Sequence, residues 1–119
     1  MAGIPGLPWD SRRLLILRAD EVDWISSAAN YVELHSQGRV FMLRTTMNEI
    51  EEALNPALFV RIHRATLVRV ECIREVEPLP GGDYAVVLHD KTKLRLGRRH
   101  RESLFSRFYP HSAAHEDSA

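Results

Sequence analysis

Short blocks of alternating apolar and polar residues run through most of this 119-residue chain, and this pattern is typical of strands. The clearest example is Tyr31 to His35, in which Val32 and Leu34 lie on one face of the predicted strand. Gln37-Gly38 follows as a turn signal, and Arg39 to Arg44 then predicts the return strand of a hairpin.

Further strands are predicted where apolar runs or alternating residues end at turn residues. They are Leu14 to Leu17, Val22 to Ile25, Leu58 to His63, Ile73 to Glu77, Tyr84 to His89 and Lys93 to Leu96. The stretch Arg64 to Val70 is less regular, and no strand is predicted there. Because the strands come in runs without intervening helices, the pattern does not indicate alternating βαβ units.

Two helices are predicted. Thr46 to Leu54 has an apolar stripe, and Thr46 with Glu49 three residues later forms a capping box. Arg98 to Phe108 predicts a C-terminal helix. An equally good alternative starts that helix near Arg101 and leaves the basic residues before it in a loop, because cations are unfavourable in the first turn of a helix.

The organisation is therefore that of one small β-dominated domain over residues 12–109. Residues 1–11 are rich in Gly and Pro and are predicted to be a linker or a disordered N-terminus. Residues 110–119 are polar and are predicted to be a disordered tail.

Charge is distributed unevenly along the chain, although its sum is zero. Residues 1–60 hold five Lys/Arg and eight Asp/Glu, whereas residues 61–109 hold eleven Lys/Arg and six Asp/Glu. Such asymmetry is a mild indication of a polyanionic partner, and chance clustering of solvated charge is the alternative. Fourteen of the sixteen cations are Arg, which favours bidentate contacts to phosphate or guanine.

Several classes of protein find no support. No apolar run approaches the roughly 20 residues that span a bilayer, and no signal-peptide pattern is present, so we predict a cytoplasmic protein without membrane insertion. Cys72 is the single cysteine, so no disulfide can form within the chain. No zinc spacing, phosphate loop or nucleophile elbow occurs. We therefore predict no enzyme, no metal and no cofactor.

Three constellations could carry a binding function. In Phe59 to Val68, the side chains of Arg61 and His63 fall on the face opposite Val60 and Ile62, and Arg64 follows where the strand should end. Fixed cationic donors of this kind suit a polyanion. The alternative is an exposed strand whose arginines pair with nearby carboxylates, for which the candidates are Glu71, Glu75 and Glu77.

The second constellation is Gly97 to Arg101, where a concentration of cations next to a helix start suggests an incoming anion. The third is the loop Ser26 to Tyr31, whose small residues permit close approach to a surface. Asn30 in that loop could hydrogen-bond adenine, or could simply serve a turn.

Taken together and in order, these blocks resemble the LytTR DNA-binding domain family. The resemblance covers roughly residues 12–108. It rests on Val22 to Ile25, Asn30 to Val32, Leu43 to Met47, Phe59 to Val68, Ile73 to Val76, Gly82 to Tyr84 and Leu94 to Arg99. Departures from the common family pattern include Gly97, Ala65 and Arg69, where members often have Ser, Ser and Asn.

The resemblance implies a mainly β fold of small antiparallel sheets packed together, with one short internal helix and a short C-terminal helix. It also implies the effector domain of a bacterial transcription regulator in a two-component system. Such a domain binds double-stranded DNA sequence-specifically, inserts loops into major grooves at direct repeats, and follows a receiver domain. A second copy of the domain on DNA and a sensor protein are further possible partners.

Carried over residue by residue, the resemblance assigns DNA binding to six positions: Asn30, Arg61, His63, Arg64, Arg98 and Arg99. Base readout is expected from Asn30, Arg64 and Arg98, and phosphate contact from Arg61 and Arg99. Further phosphate contacts are expected from Arg44, Arg69, Arg95 and Arg101. The alternative function is a protein-interaction module whose basic face, residues 61–101, docks an acidic partner such as a sensor protein.

Overall fold

The computed structural model describes residues 3–4 and 17–108 of the chain, and these residues form ten strands and two α-helices. The strands are β1 (Gly3–Ile4), β2 (Leu17–Arg18), β3 (Trp24–Ala28), β4 (Tyr31–Ser36), β5 (Arg39–Leu43), β6 (Phe59–His63), β7 (Thr66–Arg69), β8 (Ile73–Pro78), β9 (Tyr84–Leu88) and β10 (Lys93–Leu96). The helices are α1 (Met47–Ala53) and α2 (Arg101–Phe108).

All strand pairs are antiparallel. A five-stranded sheet has the order β5-β4-β3-β7-β6, and a three-stranded sheet has the order β10-β9-β8. The short strands β1 and β2 form a separate pair. The predicted mainly β architecture is therefore confirmed.

Two hydrophobic cores hold these layers together. The first core packs α1 against one face of the five-stranded sheet, and it contains Ile25, Leu34, Phe41, Ile50 and Leu67. The second core lies between β6 and β7, the three-stranded sheet and α2; its members include Val60, Ile62, Val68, Val86 and Leu104. Consequently β6 and β7 are covered on both faces, and only their ends and connecting turn are open.

The predicted capping box is confirmed at the start of α1. Thr46 Oγ1 accepts a hydrogen bond from the backbone N–H of Glu49 at 3.1 Å, and Glu49 Oε1 accepts one from the backbone N–H of Thr46 at 3.1 Å. The predicted hairpin turn is confirmed as well, with Gln37 and Gly38 at φ values of 52° and 80°. Local signals were sufficient here because each is satisfied by residues close in sequence.

The absence of a predicted strand between Arg64 and Val70 was wrong, because β7 lies inside the five-stranded sheet, hydrogen-bonded to both β3 and β6. Its consecutive residues Leu67 and Val68 are both buried, one in each core. A strand covered on both faces does not alternate between apolar and polar residues, so its sequence looked irregular.

At the C-terminal helix, the alternative start is the correct one. Arg98–His100 forms a 3-10 turn, and α2 begins at Arg101. Gly3–Ile4 pairs with β2, whereas the rest of the predicted linker over 1–11 and the predicted tail over 110–119 lie outside the described residues. No helix in the described ranges is long and apolar enough to cross a membrane.

Candidate nucleic-acid interface

Three turns that carry predicted site residues lie at the same end of the five-stranded sheet. The β3–β4 turn at Ala29-Asn30 and the β6–β7 turn at Arg64-Ala65 are joined where the N–H of Ser27 donates to the carbonyl of Ala65 at 3.0 Å. The β10–α2 junction is attached next to them, because the N–H of Gly97 donates to the carbonyl of Ile62 at 2.7 Å. We call these three turns the turn row.

In the β6–β7 turn, the exposed side chain is that of Arg64. Among the described residues its guanidinium has no hydrogen-bond or salt-bridge partner. The neighbouring His63 is half-buried, and its Nδ1 accepts the backbone N–H of Ala65 at 3.1 Å. An accepting Nδ1 requires the ring proton to be on Nε2 in the neutral imidazole, so Nε2 is a donor available to a ligand.

Arg61 differs from its neighbours, because its side chain is only 15% exposed and reaches back into the domain. It contacts Glu51 and Asn48 of α1 and backbone carbonyls of the β6–β7 turn. The predicted open cationic face of β6 is therefore wrong at this position, since α1 covers it. The alternative partners Glu71, Glu75 and Glu77 are also wrong for Arg61, because its carboxylate partner is Glu51.

The β3–β4 turn presents Asn30, which is exposed. Ala29 before it has φ of 58°, a left-handed conformation that side chains rarely adopt. Asn30 and the exposed Arg44 line one cleft with Tyr31 and Thr45. Arg44 therefore extends the turn row beyond Asn30, on the side away from Arg64.

At the β10–α2 junction, three arginines converge on one carboxylate, that of Asp83. Arg98 Nε donates to Asp83 Oδ1 at 3.1 Å, Arg101 Nη2 lies 3.4 Å from the same oxygen, and Arg95 Nη2 lies 3.7 Å from Oδ2. The hydrogen bond from Arg98 and the charges of the three arginines hold the pKa of Asp83 below its usual 3.8.

Exposure separates these three arginines into two kinds. Arg95 and Arg98 are 68% and 70% exposed and can reach a ligand, whereas Arg101 is 28% exposed. Arg101 also donates to the carbonyl of Gly82 at 2.6 Å and lies over the Tyr84 ring, with 5.0 Å from its Cζ to the ring centroid. Arg99, next to Arg98, is exposed and has no partner among the described residues.

Gly97 is the point where the β6–β7 turn and the β10–α2 junction meet. A Cβ added to it would lie 3.4 Å from Cδ2 of both His63 and His100. His100 was not among the predicted site residues. Burial lowers the pKa of His100 below 6.5, and the nearby charge of Arg61 lowers it further. The basic run Gly97 to Arg101 was visible in the sequence, but the position of the His100 and His63 rings on either side of Gly97 was not.

Unlike the exposed arginines of the turn row, Arg69 has its side chain in the interior of the domain. Its side chain is 15% exposed. Its guanidinium donates to the Val22 carbonyl at 2.9 Å, to Glu71 at 2.8 Å and to Asp23 at 3.3 Å. The prediction of Arg69 as a phosphate contact stays a prediction, and these bonds favour an internal role.

A serine, a histidine and a glutamate also meet on the five-stranded sheet, but not as a catalytic set. Ser26 Oγ lies 3.0 Å from His35 Nε2, and Glu33 Oε1 approaches the same nitrogen at 3.7 Å. A hydrolytic triad needs the carboxylate at the opposite ring nitrogen. Within residues 3–4 and 17–108, no cluster of His, Cys, Asp or Glu could hold a metal ion.

The fold and the site together define a small antiparallel β domain that presents arginine-bearing turns along one end. A family model described as the LytTr DNA-binding domain matches residues 12–108. The chain therefore belongs to the LytTr DNA-binding domain family, which is a family of DNA-binding domains and not of enzymes.

Individual relatives agree with this assignment. The chain is similar to the transcriptional regulatory protein LytR of Staphylococcus aureus strain MW2, with 27% identity over 86 residues, covering 72% of this chain and 35% of that protein. It is 22% identical over 91 residues to the sensory transduction protein LytT of Bacillus subtilis strain 168, covering 76% of this chain and 38% of that protein. The chain thus spans about a third of these curated relatives.

A solved LytTr DNA-binding domain from Bacillus cereus has the same fold. It superimposes with a TM-score of 0.79 at 12% sequence identity, and the match covers 91% of this chain and 97% of that one. At this identity the likeness establishes the fold alone.

Proposed function

We propose that this chain is the sequence-specific double-stranded DNA-binding domain of a bacterial transcription regulator in a two-component system. Family membership supports DNA binding, and the LytR and LytT relatives support the regulatory setting. The single observation that carries the proposal is the turn row, which gathers Asn30, Arg64 and Arg98 at one end of a rigid scaffold. The whole protein would act in the cytoplasm with a receiver domain or a sensor protein as partner.

The spacing of the turns favours contact along a groove rather than at one point. Strands lie about 4.8 Å apart, so the β3–β4 and β6–β7 turns, which are two strand positions apart in the sheet, are separated by roughly 10 Å. The β10–α2 junction continues the row beyond β6. Each turn is small enough to enter a major groove about 12 Å wide. We therefore propose insertion of turns without a recognition helix. Binding at directly repeated sites is what the resemblance to the family implies, and we include it in the proposal on that ground.

The proposed roles follow from exposure and free donors. Asn30, Arg64 and Arg98 are exposed at the tips of the turns and would read base edges, since Asn pairs with adenine and Arg with guanine. His63 would donate from Nε2 to a base or a phosphate. The phosphate contacts would come from the other exposed arginines in and beside the turn row, namely Arg44, Arg95 and Arg99, because phosphate contacts position a domain without reading sequence.

The experiment is selection of bound duplexes from a random pool, followed by measurement of affinity for the selected and random duplexes over a salt series. The expected result is an enriched motif and a linear fall of log affinity with log salt. Absence of binding to any duplex at low salt would contradict the proposal and would favour the protein-interaction alternative.

A further inference from the structure

Arg61 is a predicted DNA contact whose guanidinium is bonded to acceptors behind the β6–β7 turn and is mostly shielded from solvent. We propose that Arg61 is a positioning residue, which ties the β6–β7 turn to α1 so that Arg64 projects from a fixed backbone. This inference rests on the proposed function and changes the predicted role of Arg61 from phosphate contact to support. It also gives Glu51 and Asn48 of α1 a part in DNA recognition without contact to DNA.

The hydrogen bonds of Arg61 account for most of its five N–H donors. Nε donates to the carbonyl of His63 at 2.9 Å, and Nη2 donates to the carbonyl of Arg64. Nη1 donates to Glu51 Oε1 at 2.6 Å and to Asn48 Oδ1 at 3.2 Å. A phosphate could form a bidentate contact with Arg61 only by displacing at least one of these partners, because one N–H donor is left over, and just 15% of the side chain is exposed.

The turn needs such a support because the strand ladder is irregular where the turn begins. The register of β6 against β7 shifts between Arg61 and His63, and a bulge of this kind bends a strand and leaves backbone groups out of the ladder. The carbonyls of His63 and Arg64 are satisfied by Arg61 instead. The N–H of Ala65 is satisfied by His63 Nδ1, so side chains of β6 fix the turn from both directions.

The geometry of the guanidinium is what allows one side chain to do this. Its planar fork donates along three edges, to the turn carbonyls on one side and to α1 on the other, whereas an ammonium group is a point charge that cannot span the same acceptors. Glu51 also offsets the charge of Arg61, which leaves less positive potential for a phosphate. Both facts favour positioning over direct contact with the DNA backbone.

The test compares four proteins on the duplex selected by the parent and on random duplex: parent, Arg61→Lys, Glu51→Gln and Glu52→Gln. Glu52 is the matched control, because it is exposed on α1 beside Glu51, carries the same charge and has no partner among the described residues. The readouts are the ratio of specific to random affinity and the salt slope on random duplex.

For Arg61→Lys we expect the ratio to fall by about tenfold or more, which corresponds to 1.4 kcal/mol, with an unchanged salt slope because the charge remains. Glu51→Gln should lower the ratio relative to Glu52→Gln, although both substitutions remove one negative charge. Circular dichroism and thermal melting establish that each variant is folded, and if Arg61→Lys does not fold, the pair at Glu51 and Glu52 decides the question.

Two results on the variants would overturn the positioning role. One is an unchanged ratio in Arg61→Lys. The other is equal behaviour of Glu51→Gln and Glu52→Gln, with both simply tightening binding to all duplexes. A parent that binds no duplex at low salt would instead overturn the proposed function, and the positioning role with it. Because the parent is measured first, the two failures are distinguished.

Discussion

The β6–β7 turn and the β10–α2 junction both present an arginine at one end of the domain, but they are supported by groups of opposite charge. In the β6–β7 turn a cation, Arg61, holds backbone carbonyls, and the exposed Arg64 has no partner for its donors within residues 3–4 and 17–108. In the β10–α2 junction an anion, Asp83, holds the arginines themselves, and Arg98 shares its Nε–H with that carboxylate. Support by a cation leaves the side chain that we propose to read a base unoccupied, whereas support by an anion competes with the proposed ligand.

This difference has a consequence for how each turn should respond to DNA. Arg64 has no bond to a described residue that it must give up in order to approach a base edge, so the costs of its contact are the loss of side-chain entropy and of hydration. Arg98 must loosen or share its bond to Asp83, so its net gain on a base is reduced while its orientation in the free domain is better defined. The substitutions below test these two forms of support, in order of decreasing expected effect.

The largest effect on DNA affinity is expected from removing Arg64 or Arg98, the two arginines that we propose to read bases. Arg64→Ala and Arg98→Ala should each cost roughly 1–3 kcal/mol on the selected duplex and relax the base preference at one position. Arg64→Ala should cost more, because Arg64 has no competing partner in the described part of the chain. Equilibrium binding to the selected duplex and to duplexes with single base changes measures both quantities.

Arg74→Ala is the matched control for this pair, because Arg74 is an exposed arginine on β8, away from the turn row. Its loss should change binding much less than either substitution. Parental affinity in Arg98→Ala would remove Arg98 from base readout.

A smaller effect on binding is expected from removing the carboxylate of Asp83, which supports the β10–α2 junction. Asp83→Asn should free Arg95 and Arg98, raise affinity for random duplex and lower the ratio of specific to random binding. The same ratio in variant and parent would show that Asp83 does not orient Arg98. Affinities on the two duplexes at one salt concentration are sufficient for this measurement.

Asp83 also predicts a pH dependence of stability. Since its pKa in the folded domain lies below the usual 3.8, the ionised carboxylate stabilises the fold above about pH 3.8, and this contribution is lost as the pH falls through the lowered pKa. The difference in melting temperature between the parent and Asp83→Asn should therefore be present at pH 6 and shrink on acidification. A difference independent of pH would contradict the assigned ion pairs.

A smaller effect is expected from an arginine that only contacts phosphate. Arg99→Ala should weaken binding to all duplexes to a similar degree and reduce the magnitude of the salt slope by about 1. The ratio of specific to random affinity should stay near that of the parent. A salt titration checks this, and a slope equal to that of the parent would argue against phosphate contact by Arg99.

The smallest effect is expected from substitution of Gly97, where the β6–β7 turn meets the β10–α2 junction. Gly97 has φ of −70°, which other residues adopt readily, and an added Cβ would make contacts of 3.4 Å with the two histidine rings. Gly97→Ala should therefore fold normally and gain at most about 0.4–1 kcal/mol from reduced freedom of the unfolded chain. Chemical denaturation measures this change, and a marked loss of stability would mean that the two turns pack more tightly than these distances indicate.

The success of sequence-based prediction depended on how local the underlying interactions are. The Gln37-Gly38 hairpin and the Thr46–Glu49 cap were predicted because their partners are within a few residues. The strand β7 was missed because burial on both faces removes the alternation that identifies a strand. Arg61 was predicted to face outward because its position on β6 was known while α1, which covers it, could not be placed.

What the sequence alone determined is most of the elements, the mainly β class, the family and the identity of the cationic positions, since these depend on periodicity, capping and colinear motifs. Only the tertiary structure decided which arginines are free. Arg61 and Arg69 are bound inside by acceptors on other elements, whereas Arg64 and Arg99 have no such acceptors among the described residues. The reason is physical: a guanidinium binds whichever acceptors packing brings near it, and packing joins residues that are far apart in the chain.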